Sequence, residues 1–358
     1  MSAKRPHHDA PRLLAVGRRL IGPGQPTFVI AEVGVNHDGR CSKALELIDV
    51  AVAAGADAVK VQVFAAEELV TRSARAADYQ VAACGVQTQF EMLAKLELTR
   101  EALSQIKERC TDRGIELIAT PFGPKALECV AELGTAAIKI ASTDVAHERL
   151  VAAAAATGRP LIVSTGASRR DEMLDALHAA YRAAPDCLAV LHCVSCYPTP
   201  VDALNLKAMH TLQRHFAVPV GLSDHTTSTQ TGGWAVAAGA QLIEKHITLD
   251  SKSSGPDHGF SLPPKAFDAY VAAIRAADAA MGTGLLGMAP IEEQVRQASR
   301  RSVVAGVDIP RGTRLRPDML TLKRPGTGID PSCMGALVGR TAAVDIKSDT
   351  VMAWTMVR

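Results

Sequence analysis

The sequence predicts a (β/α)8 TIM barrel followed by a small β-rich domain. Three observations predict it. Eight short apolar runs alternate with Ala- and Leu-rich stretches of helical length over roughly 250 residues, the signature of a closed parallel barrel. Polar residues inside those runs fall at or near their carboxyl ends, where barrel enzymes place their chemistry. The loop after the first run, Gly34-Val-Asn-His-Asp-Gly39, lacks the glycine pattern that an open dinucleotide-binding sheet carries at that point.

Residues 1–11 read as a loose tail. Met1 to Leu20 is basic, but its longest apolar run is Leu13–Val16, too short for an export signal or a membrane span. The eight cysteines (Cys41, Cys84, Cys110, Cys129, Cys187, Cys193, Cys196, Cys333) are scattered. A reduced, cytoplasmic setting is therefore expected. Composition is that of an ordinary globular chain, 47% hydrophobic and 21% charged over 358 residues. A net charge of +2, without a basic stripe interleaved with aromatics, points to neither nucleic acid nor membrane as a partner.

A hairpin is expected first, with Arg18–Ile21 and Thr27 onward flanking the turn-rich Gly22-Pro-Gly-Gln-Pro26. The eight barrel strands are read as Phe28–Gly34, Ala58–Val63, Ile115–Pro121, Ala137–Ser142, Pro160–Gly166, Leu188–Val194, Pro219–His225 and Gln241–Thr248. Helices are read at Ser42–Ala54, Arg100–Arg113, Lys125–Leu133, Val151–Thr157, Arg170–Ala183 and Lys265–Met281. Ala-Gly pairs such as Ala54-Gly55 and Ala238-Gly239 stop helices before the next strand. The barrel domain is placed at 12–285 and a charged linker at 286–300. A β-rich domain follows at 301–358, with β pieces at Ser302–Ala305 and Leu337–Val344 and a turn at Ile309–Gly312. At roughly 60 residues it lies near the lower limit of independent stability.

The period of two in strands sharpens the site. In Val59-Lys-Val-Gln-Val63 the valines face the helices, while Lys60 and Gln62 face the barrel axis. In Ile138-Lys-Ile140, Lys139 points inward. Glu32, Ser142, Ser164, Ser195, Ser223 and Glu244 join the lysines near strand ends. Two lysines and several hydroxyls at one mouth suit a phosphate and a carboxylate. The alternative for either lysine is a buried salt bridge with Glu32 or Glu244. His225 and His246 end two neighbouring strands, each with a polar residue two positions earlier. They read as two ligands of an open divalent-metal site, most simply Mn2+, with Mg2+ and Co2+ as alternatives. The alternative is a pair of hydrogen-bonded core histidines. Cys193 and Cys196 have zinc-like spacing but no second pair, so no zinc or redox role is read from them.

Taken in order, Ile30-Ala-Glu-Val-Gly-Val-Asn-His-Asp-Gly39, Val59-Lys-Val-Gln62, Lys139-Ile-Ala-Ser142, Ser164-Thr-Gly166, Leu191-His-Cys-Val-Ser-Cys-Tyr-Pro198, Gly221-Leu-Ser-Asp-His-Thr226, Glu244-Lys-His246, Gly255-Pro-Asp257 and Lys323-Arg-Pro-Gly326 resemble the sialic acid synthase family. That family includes N-acetylneuraminate, pseudaminic and legionaminic acid synthases and carries a C-terminal antifreeze-like (SAF) domain. The resemblance implies condensation of phosphoenolpyruvate with an N-acylated hexosamine, N-acetylmannosamine or a 2,4-diacetamido-hexose, to a nonulosonic acid. It implies that Lys60, Lys139, Ser142, Ser164 and Ser223 hold phosphoenolpyruvate, with Ser195 beside them. Glu32, Tyr197 and Asp257 would face the sugar, with Glu32 or Glu244 as base. It also implies a domain-swapped homodimer in which Arg324 reaches the partner's sugar. Ser195 stands where several members have Asn, and the Phe-Ser-Leu ending of Gly255–Leu262 is more like the pseudaminic and spore-coat branches. Two other readings use the same residues: a metal-dependent barrel hydrolase, which needs no paired lysines, and a non-catalytic sugar-binding protein.

Overall fold

The computed structural model describes residues 12–358; the expected tail, 1–11, lies outside the described residues. Two compact units divide between Gly282 and Thr283.

The first unit opens with a short antiparallel hairpin, β1 (Leu14–Val16) and β2 (Arg19–Ile21), closed by the two-residue turn Gly17-Arg18. The expected hairpin is thus displaced by one turn. The Pro- and Gly-rich segment 22–26 links the hairpin to the barrel, and the run from Thr27 feeds the first barrel strand. Eight strands then close the barrel in the circular order β10-β3-β4-β5-β6-β7-β8-β9. They are β3 (Phe28–Gly34), β4 (Ala58–Val63), β5 (Glu116–Pro121), β6 (Ala137–Ile140), β7 (Leu161–Ser164), β8 (Leu188–Cys193), β9 (Val220–Asp224) and β10 (Leu242–His246). Every barrel pair is parallel.

The helices follow from the connections. After β3 comes α1 (Cys41–Ala53). A long excursion after β4 holds α2 (Ala66–Leu69), α3 (Asp78–Cys84) and α4 (Gln89–Ala94) before α5 (Arg100–Arg113). Then α6 (Pro124–Leu133), α7 (Glu148–Ala156), α8 (Arg170–Ala183), α9 (Ala208–His215), α10 (Thr231–Ala237) and α11 (Pro264–Met281) each follow one strand. Thr99 caps α5 by accepting from the Ala102 amide, and Pro124 opens α6 at the position where a missing amide hydrogen costs nothing.

Alternation divides the core into two layers. Val59, Val61, Val63, Ile138 and Ile140 point outward into one cluster with the helices. Phe28, Ile30, Ala58, Ile118, Ile162 and Leu242 fill the barrel interior and pack with Leu14, Val16 and Ile21 of the hairpin. The hairpin therefore plugs the amino-terminal mouth, and the carboxyl-terminal mouth is left for polar side chains.

Gly221 in β9 marks a close approach of two backbones. A Cβ there would lie 1.7 Å from the Leu242 carbonyl oxygen. A backbone atom cannot swing aside as a side chain can, so Gly221→Ala must prise β9 from β10. We expect a loss of about 3 kcal/mol in urea-unfolding stability, at the upper end for overpacking. A change below the error of the unfolding fit would show that the strand pair adapts.

The second unit has its own apolar core around Val303, Ile309, Leu315, Leu337, Ile346 and Met352. Its sheet is the antiparallel pair β11 (Ser302–Ala305) and β12 (Leu320–Lys323). The rest is held by isolated bridges such as Ile309–Ile346 and Ala342–Val357. Leu337–Val344 is not a strand: its start closes the short helix α13 (Met334–Leu337), and only single bridges follow. Most of the segment read as a linker carries regular structure, including the helix α12 (Glu293–Ser299), and clusters with this unit. Among the described residues no helix is long and apolar enough to cross a membrane.

Candidate active site

The barrel mouth encloses a cavity of about 220 Å³. Glu32, Lys60, Lys139, Ser142, Ser164, Tyr197, Ser223, His225, Glu244, His246 and Asp257 all line it. These side chains come from seven strands or the loops that follow them, so the shared cavity is a product of barrel closure.

Lys60 is the centre of its floor. Its Nζ lies 3.1 Å from Glu32 Oε2 and 3.3 Å from Glu244 Oε2, and it donates to Thr120 Oγ1 at 3.2 Å. The salt bridge weighed for Lys60 is therefore present, and with both carboxylates. Lys139 is held differently. It donates to its neighbour's carbonyl, Ile140 O, at 3.1 Å and stands 3.9 Å from Glu244 Oε2. Ser223 donates to Glu244 Oε1 at 2.8 Å, and Gln62 donates to Glu32 Oε1 at 3.2 Å.

The two carboxyls are shifted in opposite directions. Burial pushes Glu32 up to about 7; Lys60 opposes this, and the nearby Glu244 charge adds to it. Burial acts on Glu244 too, but Lys139, Lys60 and the Ser223 hydroxyl outweigh it and bring the group down to about 2. Burial lowers Lys139 to about 8 against the pull of Glu244. Asp257 is raised to about 6 by burial, with His225 and Lys60 opposing.

His225 and His246 face one another with ring centroids 5.3 Å apart. His225 Nδ1 lies 3.2 Å from the Val194 carbonyl oxygen. A carbonyl only accepts, so Nδ1 carries a hydrogen. Burial lowers the His225 imidazole, but the Cys193 hydrogen bond and charge and the Glu244 charge outweigh it and raise the group above its usual range. His246 Nδ1 is buried without a hydrogen-bond partner and lies 3.6 Å from Asp257 Oδ2. Burial, then the His225 and Lys60 charges, hold His246 far below the usual imidazole range, in the neutral form that ligates metals. Among the described residues no group of three or more His, Cys, Asp or Glu side chains is arranged as a metal cluster. A divalent ion here would have two imidazoles and must complete its shell with water or ligand oxygens. Ser164 Oγ is another buried atom without a partner.

The chain matches the NeuB family model over residues 47–285 and the SAF domain model over 300–358. The chain belongs to the NeuB family. It is similar to N,N'-diacetyllegionaminic acid synthase of Legionella pneumophila, 37% identical over 93% of this chain and 95% of that one. An uncharacterised protein of Methanocaldococcus jannaschii is 36% identical over 95% and 97% of the two chains. Among solved structures, N-acetylneuraminic acid (sialic acid) synthetase of Leptospira borgpetersenii superposes with a TM-score of 0.72. It is 31% identical and covers 81% of this chain and 96% of its own. The barrel followed by an SAF domain is thus the architecture of a family that includes nonulosonic acid synthases.

Two expected site residues of this NeuB-family chain lie outside the cavity lining. Ser195 sits beside it, 3.8 Å from Cys193 Sγ and against Gly166. Arg324 is exposed in the C-terminal unit. The cavity also has walls that the sequence did not announce. Tyr79, Gln80, Met92 and Leu93 come from α3 and α4, Phe122 and Thr143 from loops. Tyr79 stacks on Tyr197 at 5.6 Å, and Tyr197 lies 4.5 Å from the His225 ring. Cys193, set aside as a zinc ligand, lines the cavity 3.8 Å from His225 Nδ1. Burial raises its thiol, yet the His225 hydrogen bond and charge bring it down to about 7. Its sequence signals were the spacing to Cys196 and its place in the Leu191–Pro198 motif, and neither pointed to the cavity wall.

Proposed function

We infer that this chain condenses phosphoenolpyruvate with the open-chain form of an N-acylated hexosamine, N-acetylmannosamine or a 2,4-diacetamido-hexose, giving a nonulosonic acid and inorganic phosphate. The observation that carries this reading is a single cavity lined by two lysines, several hydroxyls and two imidazoles. Membership of a family with legionaminic and sialic acid synthases supports it. In the cytoplasmic setting expected above, both substrates would be diffusible small molecules.

The roles follow from position. Lys139, Ser142 and the unpartnered Ser164 hydroxyl bind the phosphate, with Ser195 at its edge, while Lys60 and Ser223 orient the carboxylate and Glu244. Asp257 and Tyr197 face the sugar. The C3 carbon of phosphoenolpyruvate forms the new bond to the aldehyde carbon as the C=O π bond breaks, and the aldehyde oxygen takes up a proton to become a hydroxyl. Water then adds at C2, and the C2–O bond to phosphate breaks. Glu32, whose pKa lies near neutrality, accepts the proton that water loses. His225 and His246 would hold a divalent ion, in our reading Mn2+, which supplies Lewis acidity toward a carbonyl oxygen when bound.

The test is incubation with phosphoenolpyruvate, Mn2+ and a panel of N-acylated hexoses, following phosphate release and product mass with and without chelator. Sugar-dependent, chelator-sensitive release is expected; its absence across the panel overturns the synthase reading.

The dimer is part of the same proposal. The family resemblance of Lys323–Gly326 supports Arg324 acting in the site of a partner subunit. Mixing inactive Arg324→Ala with inactive His225→Ala chains should then restore activity. About half the dimers are mixed and each holds one intact site, so about a quarter of the wild-type rate returns. No recovery, with subunit exchange demonstrated by native mass spectrometry, would place Arg324 outside a shared site.

A further inference from the structure

Behind the two imidazoles lies a buried ion pair that takes no part in the chemistry above. Asp224 and Lys245 are 1% and 0% exposed. They are paired partners on β9 and β10, with Lys245 Nζ 3.1 Å from Asp224 Oδ2. Each immediately precedes one of the histidines. Alternation along a strand therefore sends His225 and His246 into the cavity and sends Asp224 and Lys245 to the opposite face, under α10 and α11.

The pair is fully enclosed in hydrogen bonds. Asp224 Oδ1 accepts from the Thr226 amide at 2.8 Å. Its Oδ2 accepts from Thr231 Oγ1 at 2.5 Å and from the Tyr270 hydroxyl at 2.8 Å. Lys245 Nζ donates to the Thr226 carbonyl and, at 3.3 Å, to Thr226 Oγ1, and it lies 5.1 Å from the centre of the Tyr270 ring. His225 thus sits between two residues, Asp224 and Thr226, that are both tied to the residue preceding His246. None of the five lines the cavity.

Two apolar side chains of similar volume would fill this space at comparable stability, because burying two charges costs much of what their attraction returns. What an ion pair adds is directionality: only one register of β9 against β10 brings its donors and acceptors together. The geometry points to the Asp224–Lys245 pair, with Thr226 and Tyr270, as a positioning clamp that fixes the spacing of His225 and His246 and so sets the affinity for a divalent ion. This rests on the two-imidazole reading above.

The experiment titrates Mn2+ into the full-length chain, without substrates, and reads free Mn2+ by electron paramagnetic resonance. The proteins are wild type, His246→Ala, Lys245→Met, the charge-free double variant Asp224→Asn/Lys245→Met, and Tyr270→Phe. Wild type is expected to bind and His246→Ala not to. In the double variant, folded by circular dichroism, affinity should fall about 10- to 100-fold, the range seen when groups supporting metal ligands are removed. Saturating Mn2+ should then recover most of kcat, which a folding defect would not allow. Should the Lys245 variants not fold, Tyr270→Phe keeps the ring and loses one bond to Asp224, and a several-fold weaker site is expected. Wild-type affinity in the folded double variant, or in Tyr270→Phe if that alone folds, overturns the clamp and leaves the metal reading intact. No binding by wild type removes both.

Discussion

Replacing His225 or His246 by alanine is expected to lower turnover about 10³-fold while leaving the barrel folded. The size follows from what a Lewis acid supplies to a developing alkoxide, several kcal/mol, at tenfold in rate for each 1.4 kcal/mol. The same substitutions separate the metal reading from that of two core histidines. A core histidine earns its place through hydrogen bonds, so its loss should reduce stability and spare the chemistry. His225 Nδ1 bonds to the Val194 carbonyl and has a longer contact to Cys193 Sγ, and His225→Ala should cost about 1 kcal/mol for them. His246 Nδ1 has no hydrogen-bond partner to lose. His246→Ala should therefore be the milder variant by thermal unfolding and equally severe by kcat at saturating Mn2+. Near-wild-type turnover in either variant would remove that histidine from the site.

The barrel was legible because its strands carry two signals at once. In β4 the alternation of valines with Lys60 and Gln62 both marks a strand and aims the polar residues at the axis. Burial follows that pattern, with the valines among the helices and Lys60 in the cavity. The excursion 66–94 was not legible. Its helices run four, seven and six residues, too short for an apolar period to declare itself. Yet it supplies Tyr79, Met92 and Leu93 to the cavity wall. Of the helix α10 only its end, at Ala238-Gly239, was legible, for another reason. Two glycines argue against a helix by propensity, but a Cβ at Gly232 would lie 2.7 Å from Ile274 and 2.9 Å from the Tyr270 ring. The glycine serves close packing of α10 on α11, which only the assembled barrel reveals. The partners of Lys60 were open for a similar reason. Sequence placed Glu32, Lys60 and Glu244 on strands facing the axis, and closure of β10 against β3 brings them together.

Lys60 and Lys139, alike in the sequence reading, should respond differently to methionine. Lys60→Met removes the cation between Glu32 and Glu244 and leaves two buried carboxyls facing each other. Breaking a buried pair in this way costs about 3–5 kcal/mol, and Glu32 should then hold its proton more tightly. The variant should unfold at clearly lower urea and show no turnover. Lys139 is anchored mainly to a carbonyl and stands farther from Glu244. Lys139→Met should lose about 1 kcal/mol of stability. Its main effect should be on KM for phosphoenolpyruvate, which rises about 100-fold as a buried phosphate loses its cation. The same lysine should give wild type a pH signature. Burial sets it near 8, so it is charged below that pH and an anion binds best there. Affinity for phosphoenolpyruvate should fall as pH rises through 8, and Lys139→Met should abolish that slope. Equal destabilisation of both variants with unchanged KM would mean that both lysines are structural ion pairs and that the anion is held elsewhere.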